Sequence, residues 1–202
     1  MSTLTLALGR PTIADRVFSR SLATDLILVA AGAALTAVLA QVAIGYPVPF
    51  TLQTFSVLLV GAALGPVRGA LSMGLYLVLG LAGLPVFAPQ TDGSHLTGLG
   101  VLAAPSFGYI IGFVAASVAV GWLAQLEWDR KFLKMMVTFV VGSLVIYAFG
   151  VPWLAVTLGV DFGTALTYGV VPFLIGDAIK ALVAGAVLPL AWLGVNRLSK
   201  KD

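Results

Sequence analysis

Asp177 and Lys180 stand three residues apart in the segment Phe173-Leu174-Ile175-Gly176-Asp177-Ala178-Ile179-Lys180, and from 162 to 195 they are the only charged side chains. An acid and a base at this spacing share one face of a helix, so they can neutralise each other and meet the same object. One ionised group near a bilayer centre costs about 2.5–3.5 kcal/mol on insertion scales, so two must be offset by something. The reading this favours is a buried recognition site for a small polar molecule. The plainer one is an internal salt bridge that pins the helix, and a third makes Lys180 the base or nucleophile of a membrane-embedded enzyme. Gly176, beside Asp177, lets a ligand or a neighbouring backbone approach closely.

The elements that must position this pair are apolar helices. Hydrophobic residues make up 60% of the 202 residues, charged residues 9%, and the mean hydropathy is +1.08. Soluble domains carry about 25% charged residues, so the composition indicates an all-α integral membrane protein. Without cysteine there are no disulfides, thiolate nucleophiles or thiolate metal sites, and the lone His95 cannot build a histidine-based metal site by itself. The chain carries no Gly-x-x-x-x-Gly-Lys-Ser/Thr phosphate loop and no His–Glu metal motif. It therefore reads as a binder without its own energy source, needing no cofactor or metal and having no business with nucleic acid.

Apolar runs divided by Pro, Gly or charge predict six transmembrane helices, at 24–44, 51–66, 69–84, 103–126, 134–157 and 169–195. The second and third are short and flanked by Gly and Pro, which suggests that one is tilted, broken or re-entrant. Ten of the eleven Lys and Arg residues flank the spans on one side: Arg10, Arg16, Arg20, Arg68, Arg130, Lys131, Lys134, Arg197, Lys200 and Lys201. The alternate connections, 45–50, 85–102 and 158–168, contain none. The positive-inside rule then puts both termini in the cytoplasm. The chain divides into a cytoplasmic segment 1–23, a six-helix substrate-binding domain 24–196 and a cytoplasmic tail 197–202. Val38-Leu39-Ala40 resembles a signal-peptide cleavage site, but the apolar run continues to Ile44, which favours a retained span.

Other residues compete for a role at the outer end. Pro47 and Pro49 stiffen the first outer connection, and Phe50, Thr51 and Gln53 follow them, with Thr51 equally suited to capping a helix. The second outer connection has the length of a lid; its Phe87 either closes over a ligand ring or anchors at the interface, and its His95 is expected to be solvated. Ser106 opens the fourth helix toward the same region. On the first helix, Ala30/Ala34 and Ala33/Ala37 form a flat stripe suited to close packing, within the chain or against a partner.

Six stretches in one order resemble a known family, the biotin-specific substrate-binding (S) components of energy-coupling-factor (ECF) transporters, or BioY family. They are Ala33-Ala34-Leu35-Thr36-Ala37 with Gln41; Pro47-Val48-Pro49-Phe50-Thr51-Leu52-Gln53-Thr54-Phe55; Gly65-Pro66-Val67-Arg68-Gly69; Tyr76-Leu77 with Gly80 to Ala88; Phe107 to Phe113; and Phe173 to Lys180. The resemblance implies capture of biotin from outside the cell by a multi-pass plasma-membrane subunit that is not itself an enzyme. Import would need a transmembrane coupling subunit and cytoplasmic ATPases. Asp177 and Lys180 match the family's biotin-contacting positions, and the alanine stripe (Ala30, Ala33, Ala34, Ala37) matches the surface used for docking the coupling subunit. In this reading Asp177 accepts from the ureido N–H groups, Lys180 donates to the ureido carbonyl or holds the carboxylate, and Phe50, Thr51, Gln53, Phe87, Tyr109 and Phe173 complete the site. A different vitamin on the same scaffold is the alternative. The chain departs from the family at Pro89-Gln90-Thr91-Asp92, where a glycine run is usual, and at Ala104-Pro105-Ser106, where Gly-Pro-Thr is usual.

Overall fold

The structure, a computed structural model, describes residues 6 and 9–198; Lys200 and Lys201 lie outside them. Among the described residues the chain forms eight α-helices and one short hairpin. A single turn, α1 (Ile13–Val17), precedes α2 (Leu22–Ala40), whose start is fixed by the Ser21 hydroxyl accepting from the Thr24 N–H at 3.2 Å. The helix stops at Gln41. The apolar residues expected to prolong it instead form β1 (Ala43–Ile44), paired antiparallel with β2 (Phe50–Thr51). Gly45, at φ +96°, opens the turn between them.

Helices α3 (Gln53–Leu64) and α4 (Pro66–Leu81) are joined by one residue, Gly65, at φ +86° and ψ 176°. Their 12 and 16 residues reach only about 18 and 24 Å at 1.5 Å per residue, less than a hydrocarbon core of about 30 Å. The two expected short segments are present as these helices, and Gly65 sets the boundary between them. Four segments are long and apolar enough to cross a membrane: α2, α5 (Phe107–Gln125), α6 (Phe132–Leu158) and the stretch Phe162–Arg197. The last divides into α7 (Phe162–Gly169), a 3-10 turn over Val171–Phe173 and α8 (Leu174–Leu198). Pro172, which has no N–H to give, sits at that break. Likewise α5 begins at Phe107 and not at 103, because Gly98–Ala103 forms a 3-10 turn and Pro105 follows it.

Helix α5 lies between α6, α3 and α4; α2 packs on α4 and α3, and α8 on α6. The core between them includes Leu58, Tyr76, Ile110, Phe113, Phe139, Ile146 and Leu154. On α8, Ile175, Ile179, Leu182 and Val183 are exposed while Lys180 is buried. In a bilayer those apolar side chains face lipid, so the helix turns its charged face inward.

Arg68, which the sequence places between the second and third apolar runs, sits in the first turn of α4, with 2% of its side chain exposed. It pairs with Asp15 of α1 and, at 2.9 Å, with Asp25 of α2. The alanine stripe also divides. Ala33 is buried in the core and Ala37 packs against it, so these two serve the chain's own bundle, whereas Ala30 and Ala34 are exposed.

Candidate functional site

The hairpin β1–β2, the start of α3, the 82–106 connection and parts of α5, α6 and α8 line a partly open cavity. Pockets that bury small molecules combine apolar walls with a few placed polar groups. This one is walled by Val48, Phe87, Leu96, Val101, Ile110, Phe113 and Phe173, with Asp177 and Lys180 in its lining.

The acid and base meet as their spacing predicts. Lys180 Nζ lies 3.3 Å from Asp177 Oδ1, with 8% and 16% of the two side chains exposed. Their remaining partners come from other helices. Lys180 Nζ also donates to Thr54 Oγ1 of α3 at 2.7 Å and stands 4.5 Å from the centroid of Phe50. Tyr147 of α6 donates to Asp177 Oδ2 at 2.5 Å. Three elements separated by up to 126 residues thus fix one ion pair. A buried pair is tolerable only with such added hydrogen bonds. Asp177 keeps lone pairs free to accept from a ligand, and the Thr54 hydroxyl, accepting from lysine, keeps its own proton to donate.

The predicted site residues divide into those that face the cavity and those that support it. Thr51, Gln53, Phe87, Tyr109, Phe173, Asp177 and Lys180 all line it. Phe50 does not: its ring stacks on Phe173 at 6.1 Å and 8° and lies against Gly176. A Cβ on Gly176 would fall 2.1 Å from Phe50 Cε2, so the close approach that glycine permits is made by this ring. Thr51 and Gln53 hold each other and the loops. Thr51 Oγ1 accepts from the Gln53 N–H at 3.1 Å and donates to Gln53 Oε1 at 3.0 Å. Gln53 Nε2 reaches Tyr76 Oη at 2.5 Å, and that hydroxyl donates to the Val86 carbonyl at 3.1 Å. The chain of bonds ties the hairpin to the 82–106 connection. Thr51 therefore serves both as a cap on the first-turn N–H of α3 and as a wall of the cavity.

Phe87 is 3% exposed and meets Tyr76 edge-on, with centroids 5.2 Å apart. It forms a fixed wall of the cavity, set below the surface. His95 is half-buried, and its Nδ1 lies 3.1 Å from the Phe87 carbonyl; it supports the loop instead of standing solvated as expected. Tyr109 presents its ring to the cavity while its hydroxyl donates to the Gly169 carbonyl at 3.0 Å.

Residue reasoning passed over Thr54, Tyr147, Gln90 and Phe113, all of which line the cavity. For Tyr147 there was a signal, a phenol inside an apolar run with no sequence neighbour to satisfy it. Nothing in the sequence connected it to a carboxylate 30 residues away. Among the described residues no group of three or more His, Cys, Asp or Glu side chains could hold a metal ion.

The chain has counterparts among known proteins. The profile of the BioY family matches residues 11–197. The probable biotin transporter BioY of Pyrococcus horikoshii is 41% identical over 164 residues, covering 80% of this chain and 92% of that protein. The biotin transporter BioY of Thermotoga maritima is 40% identical over 152 residues, 75% of this chain and 85% of the relative. Among solved structures, the S-component for biotin from an ECF-type ABC transporter superposes with a TM-score of 0.69 at 28% identity, covering 89% of this chain and 93% of that one. By the family match across nearly the whole sequence and by these relatives, the chain belongs to the BioY family.

Proposed function

We propose that this chain captures biotin in the Asp177–Lys180 cavity as the substrate-specific component of an ECF-type uptake system. The observation that carries this reading is an acid and a base held side by side on the wall of an otherwise apolar and aromatic cavity. Biotin's ureido group has two N–H donors and one carbonyl acceptor, and its fused rings are apolar. Asp177 accepts from the ureido N–H groups. The carbonyl takes a proton from Thr54 or the remaining N–H of Lys180, and Phe87, Phe113 and Tyr109 contact the rings. An ammonium bonded to Asp177 and Thr54 acts as a fixed donor, which suits binding better than base catalysis.

The protein is a multi-pass component of the plasma membrane. In our reading it crosses six times, with 1–23 and 197–202 in the cytoplasm and 24–196 as the binding domain, so that the cavity opens outward. The absence of Lys and Arg from 45–50, 85–102 and 158–168 supports this orientation. Energy would come from cytoplasmic ATPases through a transmembrane coupling subunit, which docks on the exposed Ala30/Ala34 edge of α2.

The test is equilibrium binding of labelled biotin to the purified protein, with mass spectrometry of ligand retained through purification in mild detergent. Saturable biotin binding that falls at least about tenfold in both Asp177→Ala and Lys180→Ala is expected, because an unmatched buried polar group costs about 1–3 kcal/mol. Full-strength binding by both folded variants would remove the assignment. Retention of another small ring compound in place of biotin would favour a different vitamin.

A further inference from the structure

A second, smaller recess lies beside the cavity. Pro49, Gln90, Ala104 and Ser106 border both spaces. The rest of the second recess comes from the hairpin turn, Pro89, Thr91 and Pro105, with Thr91 among its polar groups. Among the described residues, neither space is lined by Arg or His, and Lys180 is the one lysine, at the far wall of the first. The surrounding connections, 45–50, 85–102 and 158–168, carry no Lys or Arg; besides Asp92 and Asp161 they hold His95, whose Nδ1 lies 3.1 Å from the Phe87 carbonyl.

Lys180 is already committed. Two of its N–H groups point to Asp177 and Thr54, and its ammonium lies over Phe50. If the ureido carbonyl takes what remains, a carboxylate elsewhere on the ligand has no cation to meet. The four shared residues put the second recess next to the ring site, on the side toward which the tail of a ligand anchored at Asp177 would run. There the available partners are the neutral Gln90, Thr91 and Ser106. A carboxylate at such a mouth keeps its water and gains little from the protein; an amide or ester in its place loses no ion pair.

We infer that the site reads the fused rings and leaves the tail charge unread, so that it accepts biotin whose carboxyl is joined to a further small group, tail amides and esters, about as well as the free acid. The second recess is where the added group sits. This rests on the biotin reading of the cavity.

The experiment is displacement of labelled biotin from the purified full-length protein by unlabelled biotin, biotin methyl ester and biotinyl-lysine. All three are expected to compete within about threefold of one another, less than the tenfold that 1.4 kcal/mol represents. Thr91→Trp, which adds bulk in the second recess and does not line the ring site, is expected to weaken biotinyl-lysine by about tenfold more than it weakens free biotin. Biotin binding normally while the ester and the lysine amide bind tenfold or more weakly would overturn the inference and leave the biotin reading standing. Equal binding of both ligands by Thr91→Trp would overturn the placement of the added group. Failure of biotin itself to bind would remove the biotin reading and this inference together.

Discussion

Tyr147 on α6 donates its hydroxyl to Asp177 Oδ2 on α8, at 2.5 Å, on the oxygen opposite the one that Lys180 holds. Both carboxylate oxygens are therefore oriented before a ligand arrives, and the lone pairs left over face the cavity. A hydrogen bond to a charged group contributes about 1.5–3 kcal/mol. Tyr147→Phe keeps the ring and removes only that bond. It should weaken biotin binding by about tenfold while the protein remains folded, as titration and gel filtration would show. Unchanged affinity would mean that Lys180 alone orients the acid.

Gly176 and Phe50 form a second dependency. Phe50 stacks on Phe173 and lies beneath the lysine ammonium only because Gly176 has no side chain. Gly176→Ala should displace the ring and lower affinity by several-fold, through loss of the cation–π contact of about 0.5–2 kcal/mol. The combination of Gly176→Ala with Phe50→Leu should lose no more than either change alone in the same titration, because both remove the same contact. Additive losses in the double variant would count against a shared cause.

At the other end, Arg68 is enclosed with Asp15 and Asp25, whose side chains are 4% and 1% exposed. Removing one member of a buried ionic cluster leaves its partners uncompensated and costs about 3–5 kcal/mol. Arg68→Ala should lower the melting temperature markedly in detergent, and Arg68→Lys should restore only part, because a point charge cannot reach two carboxylates as a guanidinium fork does. A melting temperature unchanged by Arg68→Ala would contradict the role.

Two acids outside the spans titrate in opposite senses. Asp129, between α5 and α6, is pushed up to about 6 by burial, although the Trp192 indole N–H and nearby Arg130 pull it down. A carboxyl that holds its proton more tightly when folded makes stability fall as pH rises from its ordinary value of 3.8 to about 6, with no further change above. Asp129→Asn keeps an acceptor for Trp192 and loses the titration. Its melting temperature relative to the parent should therefore rise between pH 4 and 6 and then level off. Burial also pushes Asp15 up, but the Thr12 N–H and Arg68 outweigh it and hold the group below its ordinary value. Its stabilising share is complete above pH 3.8 and is lost as pH falls below that, so Asp15→Asn should flatten the acid limb of the same curve.

The exposed edge of α2 offers a separate test of assembly. Ala34→Trp adds bulk where the chain's own packing does not need space. It should abolish co-purification with a coupling subunit while leaving biotin binding intact; Ala33→Trp, in the core, should instead impair folding.

The sequence alone determined the membrane class, the ion pair and much of the wall. Apolar content and charge spacing are one-dimensional quantities, and i,i+3 neighbours on a helix must meet whatever the tertiary arrangement. Thus Asp177 and Lys180, with Phe173 beside them, were legible directly, and the ordered motifs carried Thr51, Gln53, Phe87 and Tyr109 with them. Only the tertiary structure decided who completes the pair. Thr54 and Tyr147 approach from α3 and α6, across sequence separations that no local pattern encodes. It also decided direction: which alanines of α2 face inward, that Arg68 is enclosed, and that Phe50 supports the cavity from outside its lining. Those outcomes depend on which face of each helix its neighbours cover. An apolar run that can lie against protein or lipid alike does not state that choice by itself.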